Sequence, residues 1–167
     1  VVNSVLANFN AAGATVKGLE AEWVWRPTKV DRLTGNATWL KAVYDDFLSC
    51  DVDAARANGQ ACGSTAPLVN VGGSTMKHAP KFSTTVQYEH DFNVAGGQLT
   101  PRASVHYETM SYVGAGAFNG DVPGHAGVKR QEAYTTLDLS LRFQPANKAY
   151  TVEAFVQNAT DKAVKLD

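Results

Sequence analysis

The stretch GLEAEWVWRP, residues 18–27, sets two unlike faces against each other. Leu19, Ala21, Trp23 and Trp25 fall on one parity, and Glu20, Glu22, Val24 and Arg26 fall on the other. A β-strand points successive side chains to opposite faces, so one face carries both tryptophans and the other carries two carboxylates and a guanidinium. In water the tryptophan face would have to cover a core. In a membrane wall the same face would meet lipid, and the charged face would meet a wet interior. The rest of the chain decides between these environments.

Five further segments repeat the alternation, and helical periodicity is nearly absent apart from a possible turn at 53–58. Segment 33–44 sets Leu33, Gly35, Ala37 and Trp39 against Thr34, Asn36 and Thr38. Segment 81–92 sets Phe82, Val86, Tyr88 and Phe92 against Ser83, Thr85, Gln87, Glu89 and Asp91. Segment 98–112 sets Leu99, Ala103, Val105 and Tyr107 against Arg102, Ser104, His106 and Glu108. Segment 134–143 opposes Leu137, Leu139, Leu141 and Phe143 to Thr136, Asp138, Ser140 and Arg142. Segment 150–158 opposes Val152, Ala154 and Val156 to Thr151, Glu153 and Gln157.

These segments run to about ten residues, whereas strands of water-soluble proteins usually run to about five or six. The connections alternate in length: 27–32, 93–97 and 144–149 are short, while 45–80 and 113–133 are long. An outer-membrane barrel keeps its turns short on the periplasmic side and its loops long on the extracellular side. The expected fold is therefore all-β: a sector of an antiparallel transmembrane β-barrel with about six long strands. Trp23, Trp25, Tyr107 and Phe143 are expected to face lipid, and Glu20, Glu22, Arg102, His106, Glu108, Asp138 and Arg142 to line the lumen. By depth, Trp23, Trp25, Phe92, Phe143 and Tyr150 form one aromatic band, and Tyr44, Phe82, Tyr107, Tyr112 and Tyr134 form another. A sheet with two bare edges cannot span hydrocarbon, because every backbone polar group must be paired there. The sector is therefore expected to be completed by further strands, and the opening VVNSV, without Met or a signal pattern, suits a piece that begins inside a longer protein.

Composition agrees. The 167 residues carry a net charge of −1, so no basic surface is available for nucleic acid. Charged residues make up 19%, below the globular norm of about a quarter, as suits a surface that does not all face water. Cys50 and Cys62, with eleven residues between them in a Gly/Ala/Asn-rich loop, read as a disulfide formed in an oxidising compartment. A metal site would need more Cys or His at short spacing, so no metal or other cofactor is expected.

Other motifs weigh little. GAGAFNG at 114–120 is one residue off the dinucleotide fingerprint and is followed by DVPGHAG rather than a helical pattern, which reads as a loop. His78, His90, His106 and His125 show no helical ligand spacing. Asn36-Ala-Thr38 and Asn158-Ala-Thr160 match a glycosylation acceptor that arises often by chance. No nucleophile elbow or paired-carboxylate cleft is present, so an enzyme is not expected. In the long loops Asn70, Tyr112, Phe118 and Asn119 are the residue types that suit contact with a ligand, since rigid aromatics bind at low entropic cost.

Three runs together resemble one family. NAAGATVKGLEAEW at 10–23 resembles a recurrent late strand of the TonB-dependent outer-membrane receptors, HAPKFSTTVQYEH at 78–90 resembles their A-P-K entry to a downward strand, and AYTVEAFVQNATDKAV at 149–164 resembles their penultimate strand. The resemblance implies that residues 1–167 are the C-terminal section of a barrel of about 22 strands, without the closing strand. It further implies a plug domain elsewhere in the protein and TonB as partner. The activity so implied is energised uptake of a scarce small-molecule nutrient of the iron–siderophore, cobalamin or glycan class, in the bacterial outer membrane. Two rivals use the same strands: a soluble antiparallel sandwich that binds carbohydrate through Trp23, Trp25 and Trp39, and a smaller pore or adhesin barrel assembled from several copies.

Overall fold

The computed structural model describes residues 13–50, 55, 57–60, 68–113 and 130–165. In chain order its strands are β1 (Ala14–Trp25), β2 (Asp31–Tyr44), β3 (Leu48–Cys50), β4 (Leu68–Asn70), β5 (Phe82–His90), β6 (Phe92–Val94), β7 (Gly97–Glu108), β8 (Ser111–Tyr112), β9 (Arg130–Gln131), β10 (Tyr134–Pro145) and β11 (Val152–Val156). One antiparallel sheet runs β1-β2-β5-β7-β10-β11, with β6 continuing the pairing along β7. It is open, with β1 at one edge and β11 at the other.

The register brings the alternation of every strand into phase, because directly opposed residues in an antiparallel ladder share a face. One row reads Trp23, Gly35, Val86, Val105 and Leu137 from β1 to β10. Two residues further along, the row reads Trp25, Leu33, Tyr88, Ala103, Leu139 and Val156. Between them lie rows of the opposite face, such as Glu22, Asn36, Thr85, His106 and Thr136. A one-residue slip in any strand would turn its apolar set to the polar side, so the pattern itself holds the register.

The apolar face covers no core. Trp25 is 60% exposed and Trp39 52%, and Leu19, Leu139, Leu141 and Val156 are exposed with them. Of the larger side chains, Phe47 and Val71 are buried together, with Tyr44 and Val69 packed against them at the end of the sheet. The row pairs fill in locally instead. At Gly35 a Cβ would lie 2.2 Å from Cζ2 of Trp23, so the indole rests on the glycine and only a missing side chain makes room for it.

Connections sort by end as expected. The 26–30, 95–96 and 146–151 turns leave one end of the sheet. Gly96 takes φ +83° there, the left-handed conformation that a tight turn assigns to glycine. The long β2–β5 and β7–β10 connections leave the other end, and each carries a small hairpin, β3–β4 and β8–β9. Ala55 and Ala57 lie in a helical turn, within the one stretch of helical pattern in the sequence.

Strand ends differ from the sequence expectation at three places, each with a local cause. Pro101 stands where the register would place the partner of His90, and with no N–H to give it interrupts the pairing between β5 and β6. Segment 98–112 breaks after Glu108, where Thr109 bonds Phe82 through backbone and hydroxyl. β2 begins at Asp31, within the expected turn, because Thr28 caps the strand entry by accepting from the Val30 and Asp31 N–H groups.

Candidate functional site

The polar face holds two built clusters. In the first, Glu89 on β5 is buried and stands between Arg32 on β2 and Arg102 on β7. Nη2 of Arg32 lies 2.6 Å from one carboxylate oxygen, and Nε of Arg102 lies 2.8 Å from the other. Gln87, on the same face of β5, donates its side-chain amide to Glu89 at 2.9 Å. One carboxylate thus links three neighbouring strands. Arg102 belongs to the expected lumen set, whereas Arg32 and Glu89 were not singled out; Glu89 had the right parity, but Arg32 fell inside the expected turn.

The second cluster lies nearer the long-loop end. Nδ1 of His106 is 3.0 Å from the Thr85 hydroxyl, and Nε2 is 3.7 Å from a Glu108 oxygen. The Tyr134 hydroxyl donates to Glu108 at 3.3 Å, and its ring stands 5.9 Å from that of His106. Tyr134 therefore lies on the polar face, although depth alone grouped it with the outer aromatic band. Tyr44 also leaves that band, since it packs on Phe47 with ring centres 5.4 Å apart. Trp39 takes the place, stacked 4.6 Å from Phe82, which continues to Tyr107 at 6.2 Å. Residue depth was legible in the sequence, but parity decides the face.

The other expected residues are not gathered into one site. Glu20 and Glu22 stand exposed on the edge strand β1, opposite Thr38 and Asn36. Asp138 accepts the Asn158 N–H at 2.7 Å, and Arg142 stands opposite Thr100 and Glu153 rather than beside Asp138. Asn158 is the hinge of the NATDK run: it takes φ +49° and its side chain bonds the backbone of Lys162 in both directions and the Thr160 hydroxyl. Trp23, Trp25, Tyr107 and Phe143 share the opposite, apolar face.

At the rim, the Asn70 side chain accepts from Gly72 N–H at 2.8 Å and donates to Asp46 at 3.0 Å, so it holds the base of the β3–β4 hairpin. Tyr112 lies in β8, and its carbonyl accepts the His78 N–H. Burial pushes the Lys77 ammonium in this loop below the usual lysine range. Phe118 and Asn119 lie outside the described residues. Among the described residues no group of three or more His, Cys, Asp or Glu is placed to hold a metal ion.

Cys50 is buried at the end of β3 against Ala55, while Cys62 lies outside the described residues. The expected bridge has a direct test. The full-length protein, alkylated under denaturing conditions without reductant, should leave both cysteines unlabelled, and reduction should expose both. Labelling of both before reduction rules the bridge out.

Residues 1–159 match the family model described as TonB dependent receptor-like, beta-barrel. The chain is also similar in structure to the siderophore receptor PiuA from Acinetobacter baumannii, with a TM-score of 0.64 and 19% sequence identity. That match covers 90% of this chain and 18% of the PiuA chain, so the residues span about a fifth of that receptor. No curated protein matches the sequence.

Proposed function

Since the chain belongs to the TonB-dependent receptor β-barrel family, an outer-membrane family, we propose that its sheet is a section of barrel wall in a receptor that imports a scarce small-molecule nutrient through TonB. The observation that carries this reading is the in-phase register: six strands present one continuous apolar face that covers no core and one continuous polar face. A soluble carbohydrate-binding sandwich would need a second sheet over the tryptophans, and among the described residues none is present. Strand length supports the same reading. Twelve residues of β1 reach about 40 Å at a strand's rise, and at about 45° of tilt that crosses about 28 Å, close to the thickness of a hydrocarbon core.

In this reading the apolar face meets lipid, and Glu89, Arg32, Arg102, His106, Glu108 and Tyr134 face the lumen, where the plug and the ligand pass. The two long connections are extracellular. The nutrient belongs to the iron–siderophore, cobalamin or glycan class.

Orientation is tested in the full-length receptor reconstituted with brominated lipid. Trp25→Phe should remove a large part of the quenchable fluorescence, since Trp25 is exposed on the apolar face. Equal quenchable intensity in the parent and the variant would mean that this face does not meet lipid. Transport is tested in cells lacking the whole receptor gene. Energy-dependent uptake of one nutrient of these three classes should be lost, be restored by the full gene and stop when the proton gradient is collapsed. Unchanged uptake of all three, or uptake that survives collapse of the gradient, would overturn the transport reading.

A further inference from the structure

The apolar face carries two lysines where its rows predict none. Lys17 on β1 and Lys41 on β2 are directly opposed in register, one same-face step beyond the Leu19–Trp39 pair toward the long-loop end. Directly opposed residues hold their Cβ atoms about 5 Å apart, and like charges in that position destabilise a sheet. Both lysines are exposed, and among the described residues neither lies within ion-pair range of a carboxylate. Asp45, two same-face steps further along, is engaged by the Thr15 hydroxyl at 2.7 Å.

A groove of about 720 Å³ lies at the same place, lined by Lys17, Leu19, Trp39, Lys41, Val43 and Thr75. The 74–76 segment closes one side of it by continuing the ladder along β2, through the Val43–Thr75 bridge and the Met76 N–H to Ala42 carbonyl bond. The groove therefore joins an apolar floor to a paired positive charge. A single lysine at this level would reach outward into water with its stem on the apolar surface. Two opposed lysines need an anion between them, and an anion with an apolar tail fits the whole groove.

We propose that Lys17 and Lys41 bind the phosphate of an anionic membrane lipid whose acyl chain lies over Leu19 and Trp39. The site rests on the reading that this face meets lipid. The phosphate compensates the repulsion across the β1–β2 pair, and each amine donates charge-assisted hydrogen bonds to its oxygens.

The test uses the purified full-length receptor and a K17Q/K41Q double variant, both checked for folding by heat-modifiable mobility. Native mass spectrometry measures retention of phosphatidylglycerol against phosphatidylcholine. At low ionic strength the parent should prefer the anionic lipid over the variant by roughly thirtyfold, about fivefold for each lysine, with the difference shrinking as salt rises. Equal preference in the two proteins overturns the proposal. Displacement of the lipid by millimolar inorganic phosphate also overturns it, because the groove would then contribute nothing and the lysines would be a free-anion site. Brominated-lipid quenching of Trp39, read as the intensity lost in Trp39→Phe, separates the two levels of failure. Quenching without a lysine effect sinks this site alone, whereas no quenching sinks the lipid-facing reading beneath it.

Discussion

Val105→Arg is expected to cost about 2–4 kcal/mol of folding stability in a bilayer, while Ser104→Arg, one residue away on the same strand, should cost under about 1 kcal/mol. Val105 stands in the row Trp23, Gly35, Val86, Val105 and Leu137, in the middle of the apolar face. A guanidinium there sits near the bilayer midplane, and no carboxylate shares its row to pair with it. Ser104 stands between Gln87 and Asp138 on the polar face, where an added arginine gains water and a neighbouring carboxylate. The pair isolates the face from every other variable, since strand, depth and the introduced side chain are held nearly constant. The measurement is the urea midpoint of the full-length receptor in vesicles, read from the heat-modifiable band. Equal costs at the two positions would mean that the faces are not exposed to different solvents, and the barrel-wall reading would fail with them. In detergent micelles the contrast should shrink, because micelles deform around a charge more readily than a bilayer does.

Much of this fold was legible because the strands are long and two-faced. Once Trp23 and Trp25 are set against Glu20 and Glu22, the same parity test works in every segment, and the long and short connections give the order of the hairpins. The strand breaks were less legible because they depend on partners. Pro101 interrupts β5 only because the register sets it against His90, and a single strand's sequence does not contain that register. The clusters on the polar face were half-legible for the same reason. Arg102, His106 and Glu108 could be placed on one face from β7 alone, but Glu89 acquires its role only when β2 and β7 flank β5. The aromatic bands show the limit from the other side. Tyr134 and Tyr107 lie at similar depth, yet one stacks near His106 and the other continues the Trp39–Phe82 row. In a sheet with a period of two, depth without parity is half a coordinate.

Glu89→Ala should be the most damaging substitution on the polar face, with a loss of about 2–4 kcal/mol. Removing one partner of a well-buried ion pair costs about 3–5 kcal/mol because the charge left behind is uncompensated. Here two guanidinium groups are left, but their side chains are 39% and 35% exposed, so water recovers part of the cost. The carboxylate's own side chain is 8% exposed, which makes it the member that must be paired. Removing either arginine alone leaves Glu89 with the other, so Arg32→Ala and Arg102→Ala should each cost less than half as much as Glu89→Ala. The double variant R32A/R102A should then exceed the sum of the singles, because only in it does the buried carboxylate lose both cations. Urea midpoints of these four proteins decide the matter. Strict additivity would mean two independent surface pairs and no shared hub. A superadditive loss means that Glu89 ties β2, β5 and β7 into one unit, and that the wet face of the wall contributes to holding the strands in the register that the apolar face requires.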